Sequence, residues 1–207
     1  LTSIGFSISR STLDDPIRPS RGTVIEFGAE QVGALGGDYE FSKLSASHEA
    51  YFTLYRSFLG YKTVLSIKTE LGYIPQDPDE VPPYERFYLG GRSFRGFDFR
   101  AVSPVGVRND TGELGDDTVG GTWSFFWGTE VVQPVWDDTI SLAFFLDTGT
   151  VTNDPGFDDY RVAIGTGLRL YFPQLSPAPL AFDFGFPLVS EDTDRERVFT
   201  FSLDIPF

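Results

Sequence analysis

Residues 61–73 alternate almost without a break. Tyr61, Thr63, Leu65, Ile67, Thr69, Leu71 and Tyr73 fall on one face; Lys62, Ser66, Lys68, Glu70 and Gly72 fall on the other, with Val64 the one exception. A period of two means a strand, because successive side chains of an extended chain point to opposite sides. Strands of soluble domains usually run ~5–6 residues. A run this long, with an aromatic at each end of its apolar face, restricts the chain to folds that need long strands.

The same pattern recurs in order along the chain. In residues 2–10, Ile4, Phe6 and Ile8 oppose Gly5, Ser7 and Ser9. In 23–32, Thr23, Ile25, Phe27 and Ala29 oppose Glu26, Gly28 and Glu30. Residues 39–55 form another long run. In 122–135, Trp123, Phe125, Trp127, Thr129 and Val131 oppose Ser124, Phe126, Gly128, Glu130 and Val132. Residues 140–147 set Ile140, Leu142, Phe144 and Leu146 against Ser141, Ala143, Phe145 and Asp147. In 160–171, Val162, Ile164, Leu168 and Leu170 oppose Arg161, Gly165, Gly167 and Arg169. Leu180, Phe182, Phe184 and Phe186 oppose Ala181, Asp183 and Gly185; in the last strand, 198–207, Phe199, Phe201, Leu203, Ile205 and Phe207 oppose Thr200, Ser202 and Asp204. Turns are read at 11–22, 33–38, 56–60, 134–138 and 173–179, and charged loops at 148–159 and 190–196. No helix signal competes.

These strands approach or exceed the ~9–11 residues that cross a bilayer at a tilt. Soluble sandwiches and lipocalin-like barrels alternate as well. Long strands, aromatic ends and alternating short turns and longer loops favour an all-β, transmembrane antiparallel β-barrel, since strands satisfy their backbones in lipid only when closed.

The net charge of −14 excludes a nucleic-acid partner, which needs clustered Lys and Arg. The chain has no Cys, so no thiolate metal site can be assembled, and its one histidine, His48, stands on a strand beside aromatics and reads as a filler rather than the base of a serine–histidine–acid set. The acidic loops at 77–80, 110–117 and 154–159 do not match the spacing of a dedicated calcium loop. No metal, no cofactor and no enzymatic activity are expected.

Residues 74–121 form a connection far beyond the ~12–15 residues at which a structureless loop becomes suspect. Within it stands Leu89-Gly90-Gly91-Arg92-Ser93-Phe94-Arg95-Gly96-Phe97-Asp98-Phe99-Arg100. Arginines among phenylalanines call for burial against carboxylates. Gly96 lets the backbone turn sharply beside Arg95. Strand parity puts Glu130 and Asp147 on the polar faces of adjacent strands, where both can converge on one guanidinium or simply wet the interior. Arg92 and Arg100 read as counter-charges to the acidic loops.

Phe94-Arg95-Gly96-Phe97 resembles the signature of the outer-membrane assembly factor family typified by BamA, also called the bacterial surface antigen family. Its relatives include TamA and the two-partner secretion transporters. The likeness extends through residues 88–100, 125–135, 141–151 and 165–207; Phe94 stands where the family more often has a β-branched residue. The terminal aromatic strand ending at Phe207 resembles the insertion signal of outer-membrane barrels. The resemblance implies that residues 75–121 fold back into the lumen, with Arg95 paired to Glu130 and Asp147. It further implies bacterial outer-membrane localisation with a periplasmic C-terminus, contact with membrane lipids, unfolded outer-membrane protein clients, and accessory assembly subunits reached through N-terminal POTRA domains.

Four strands precede the long connection and five follow it. In a meander of nine the first and last run the same way and cannot close on each other, whereas bacterial barrels are even-numbered, about sixteen strands in this family. Residues 1–207 are therefore expected to be the C-terminal part of such a barrel, either a fragment or a short homologue that oligomerises. The implied function is outer-membrane protein insertion through a seam bordered by the last strand. A passive or secretion pore on the same scaffold is the alternative, and a surface adhesin or enzyme barrel a third.

Overall fold

The computed structural model describes residues 1–107, 114–137, 139–172 and 179–203. Nine strands form one sheet: β1 (Ser3–Ser11), β2 (Gly22–Val32), β3 (Phe41–Arg56), β4 (Lys62–Tyr73), β5 (Trp123–Trp136), β6 (Ile140–Thr152), β7 (Arg161–Leu170), β8 (Leu180–Val189) and β9 (Phe199–Leu203). Their order in the sheet is their order in the chain, each antiparallel to the next, so β4 and β5 pair although residues 74–122 lie between them.

The rungs run across the sheet by parity. One rung carries Glu49, Lys68, Gly128, Asp147 and Ala163; the next carries Tyr51, Ser66, Glu130, Phe145, Gly165 and Gly185. The opposite face carries the large apolar side chains. Phe6, Phe27, Phe52, Phe144, Ile164, Phe184 and Phe201 all stand exposed there. A patch of that size on a soluble monomer would be an aggregation surface; on a barrel wall it is the lipid face. His48 shares that face, level with Ile25 and Thr69.

Several boundaries differ from the sequence reading. β6 continues to Thr152, into what reads as loop, because its ladder with β5 runs on to Trp123↔Thr152; the hydroxyls of Thr148, Thr150 and Thr152 bond the carbonyls of Arg161, Asp158 and Asp154 beside it. β5 passes through Pro134 to Trp136, with an irregularity where the proline interrupts the ladder. β8 reaches Val189. The last strand is described as Phe199–Leu203; Ile205 and Phe207 lie outside the described residues.

The long connection is folded rather than loose. It makes two 3₁₀ turns, Pro78–Glu80 and Pro83–Glu85, bridges Phe87 to Gly121 and Leu89 to Val102, and pairs Val105–Val107 with Leu114–Thr118. Leu89, Phe94, Phe97, Ala101 and Val102 form a buried cluster with Phe126, Val151 and Ala163 of the wall. At the other end of the strands, the β1–β2 connection turns inward. Ser20 accepts from Thr53 at its carbonyl, and the Arg18 guanidinium lies 4.3 Å from the centre of the Tyr171 ring. Tyr171 follows β7, five strands beyond β2, so the sheet is curled and this segment crosses its hollow.

Candidate functional site

The site is built where the loop meets β5–β8. Gly96 adopts φ +97, a conformation an L side chain rarely takes, and a Cβ there would stand 3.1 Å from the Ala163 methyl. That turn buries Phe94 and Phe97 on either side, their rings 4.8 Å apart and edge to face, with Phe94 also edge-on to Phe126 at 5.7 Å. Arg95 is thereby aimed at the wall.

Its guanidinium makes a two-pronged contact with Asp147: Nε donates to Oδ2 and Nη2 to Oδ1, each at 2.8 Å. The Arg95 backbone amide donates to the same carboxylate at 3.2 Å. Nη1 donates to Glu130. The plane of the group lies 3.5 Å from the centre of the Phe145 ring. A bidentate arginine–carboxylate pair fixes direction as well as distance, and stacking on an aromatic adds a cation–π contribution.

Two residues absent from the sequence reading of the site complete it. Arg169 donates to Glu130 at 2.7 Å and to Asp183 at 2.6 Å, and Asp183 lies 4.0 Å from Arg95. Two cations thus share three carboxylates, Glu130 bridging both. The side chains are largely buried, Asp147 at 2% exposure. The signal for both was available: Arg169 and Asp183 lie on the polar faces of their strands. What sequence could not say is that the register lets Arg169 bond Glu130 directly and join Asp183 to it.

Inward-facing glycines make the room. A Cβ on Gly165 would fall 2.2 Å from the Phe145 ring, and one on Gly167 2.0 Å from the Asp183 carboxylate. A Cβ on Gly185 would stand 2.6 Å from the Gly96 nitrogen. Gly185 lets the loop backbone reach the wall, while Gly165 and Gly167 leave space for the Phe145 ring and for the Asp183–Arg169 pair.

Of the residues singled out in the sequence, the structure brings Phe94, Arg95, Gly96, Phe97, Glu130 and Asp147 into this one cluster. Phe199, Phe201 and Leu203 lie on β9, beyond β8. Arg100 lies over the Tyr88 ring at 4.6 Å, and Phe99 is exposed. Among the described residues, no three acidic or histidine side chains converge as a metal site would require.

The Omp85 superfamily domain matches residues 1–207. The outer membrane protein assembly factor BamA of Nitratidesulfovibrio vulgaris is 30% identical over 91% of this chain, which spans 23% of that protein. A crystal structure of Haemophilus ducreyi BamA lacking POTRA domains 1–3 superposes with a TM-score of 0.82 over 96% of this chain and 41% of that one, at 20% identity. The chain spans less than half the length of either relative. Taken with the curled antiparallel wall and the loop lodged against it, these matches establish that the chain belongs to the Omp85 superfamily.

Proposed function

We propose that this chain is the C-terminal part of an outer-membrane barrel that inserts unfolded outer-membrane proteins, with β9 as one lip of a seam. The observation that carries the reading is Arg95, gripped by acids from two neighbouring strands while the loop around it packs on the inner wall. A wall stiffened on β5–β8 leaves the seam beside β9 as the place to open. An incoming strand then pairs with the exposed edge, so backbone hydrogen bonds are exchanged rather than lost in lipid. No bond is made or broken. The C-terminus lies in the periplasm in this arrangement, and the loop enters from the outside. Clients, lipids and accessory subunits contacted through POTRA domains are its partners.

Two spaces in the hollow, about 560 Å³ beside the β1–β2 segment and about 290 Å³ beside Arg95, both bordered by Glu130 and Arg169, favour a pore as the second reading. The full-length protein reconstituted in liposomes separates the two. Assembly activity predicts that Arg95→Ala slows client insertion, and that exchanging Arg95 and Asp147 recovers part of the loss. Steady single-channel conductance with no client insertion would select the pore instead.

A further inference from the structure

The start of the last strand leaves the wall. β8 and β9 pair from Leu180↔Leu203 to Phe184↔Phe199, and the Gly185 amide bonds the Val198 carbonyl at 2.8 Å as the final rung. Immediately before it, Glu196 and Arg197 pair instead with Phe97 and Gly96 of the loop. The Asp98 amide donates to the Arg195 carbonyl at 2.8 Å, extending that ladder. Gly96 lies directly against Gly185. The Arg-Gly-Phe segment is therefore wedged between β8 and the residues that lead into β9.

A buried ion pair holds this connection in place. Arg161, the first residue of β7, donates to Asp194 from Nε at 2.9 Å and Nη2 at 3.0 Å, with side-chain exposures of 4% and 0%. Asp194 also accepts the Glu191 amide at 2.8 Å, and Arg161 gives its remaining nitrogen to the Asp159 carbonyl. Arg197 and Asp98, by contrast, meet at 3.3 Å with both side chains about half exposed, where an ion pair contributes little.

We infer that Arg161 and Asp194 are positioning residues that keep the approach to β9 on the loop, so that the loop rather than β8 decides how much of the last strand is wall. The inference rests on the seam reading for its consequence: a strand held inward at one end is already partly unpaired from β8. Removing one partner of a buried pair leaves the other charge uncompensated, which lifts the connection and opens the rungs to Gly96 and Phe97.

Hydrogen exchange on the purified full-length protein in detergent tests this. Asp194→Asn is expected to speed exchange roughly tenfold in peptides covering 96–98 and 185–198, by local opening alone. Peptides of β2–β4 and the Asp147-bonded Arg95 amide should keep their rates. Asp98→Ala, which removes only exposed contacts, the pair with Arg197 and the bond from the Phe99 amide, should leave all rates near wild type. Should Asp194→Asn fail to assemble, Arg161→Lys, which keeps the charge and loses the fork, is read by the same criterion. Unchanged exchange in 96–98 and 185–198, or an equal rise in β2–β4, overturns the inference. Client insertion measured on the same protein reports on the seam separately: fast local exchange with normal insertion upholds the clasp and counts against the seam.

Discussion

Arg95 satisfies three surfaces at once: a two-pronged carboxylate at Asp147, a shared carboxylate at Glu130 and the face of Phe145. Lysine cannot reproduce the first, and it meets the third only as a point charge rather than a planar group. Arg95→Lys should therefore lie between wild type and Arg95→Ala in resistance to heat, read from the barrel's mobility shift on a gel. Gly165→Ala probes the same site from beneath. Its methyl collides with the Phe145 ring, already held under the guanidinium, and overpacking of this kind costs about 1–3 kcal/mol. Denaturant unfolding measures it; a variant as stable as wild type would mean that the ring and the Phe184 carbonyl, 2.3 Å from the added carbon, both yield without cost. At this scale the sequence was partly legible. Parity alone put Glu130, Asp147, Arg169 and Asp183 on polar faces. Which of them share a guanidinium depends on register across four strands, and no local pattern encodes that.

At the scale of elements, the β1–β2 connection shows how a short segment is folded inward by hydrogen bonds. Asp14 accepts from the Ser20 hydroxyl, from the Ser20 amide at 2.8 Å and from the Arg21 amide at 3.0 Å. Lys62 approaches it at 3.5 Å. The Ser20 hydroxyl and amide, with the Arg21 amide and the Lys62 charge, hold the carboxyl of Asp14 well below the usual carboxylate range. A carboxyl depressed on folding adds stability above its unfolded value of about 3.9 and loses it as pH falls toward the folded value. The stability gap between wild type and Asp14→Asn should be full at pH 7 and shrink below about pH 4. A gap independent of pH would show that the charge is not what holds the segment. The sequence marked this stretch only as a turn. Its reach to Tyr171 follows from the curl of the whole sheet, which no window of residues contains. The end of β6 was missed for a related reason: Thr148, Thr150 and Thr152 pair with Trp127, Phe125 and Trp123 of β5, partners that only the fold brings near.

At the scale of the molecule, alternation along each strand read out the all-β, barrel-wall architecture, and the nine strands lie in the sheet in the order the chain presents them. Long strands with small, polar and charged side chains on one face and phenylalanines on the other leave few alternatives to a membrane barrel. The long connection was legible as too long to be idle, but its internal bridges, Phe87 to Gly121 and Leu89 to Val102, carry no local pattern, and its ladder to Glu196–Arg197 joins residues about a hundred positions apart. The central claim is that the loop is fastened to the wall by Arg95. A double-mutant cycle between Arg95 and Asp147, each replaced by alanine singly and together in the full-length protein, measures that coupling in denaturant unfolding. The account predicts single losses of about 3–5 kcal/mol and a strongly non-additive double variant. Additive losses, with no coupling between the two positions, would contradict it.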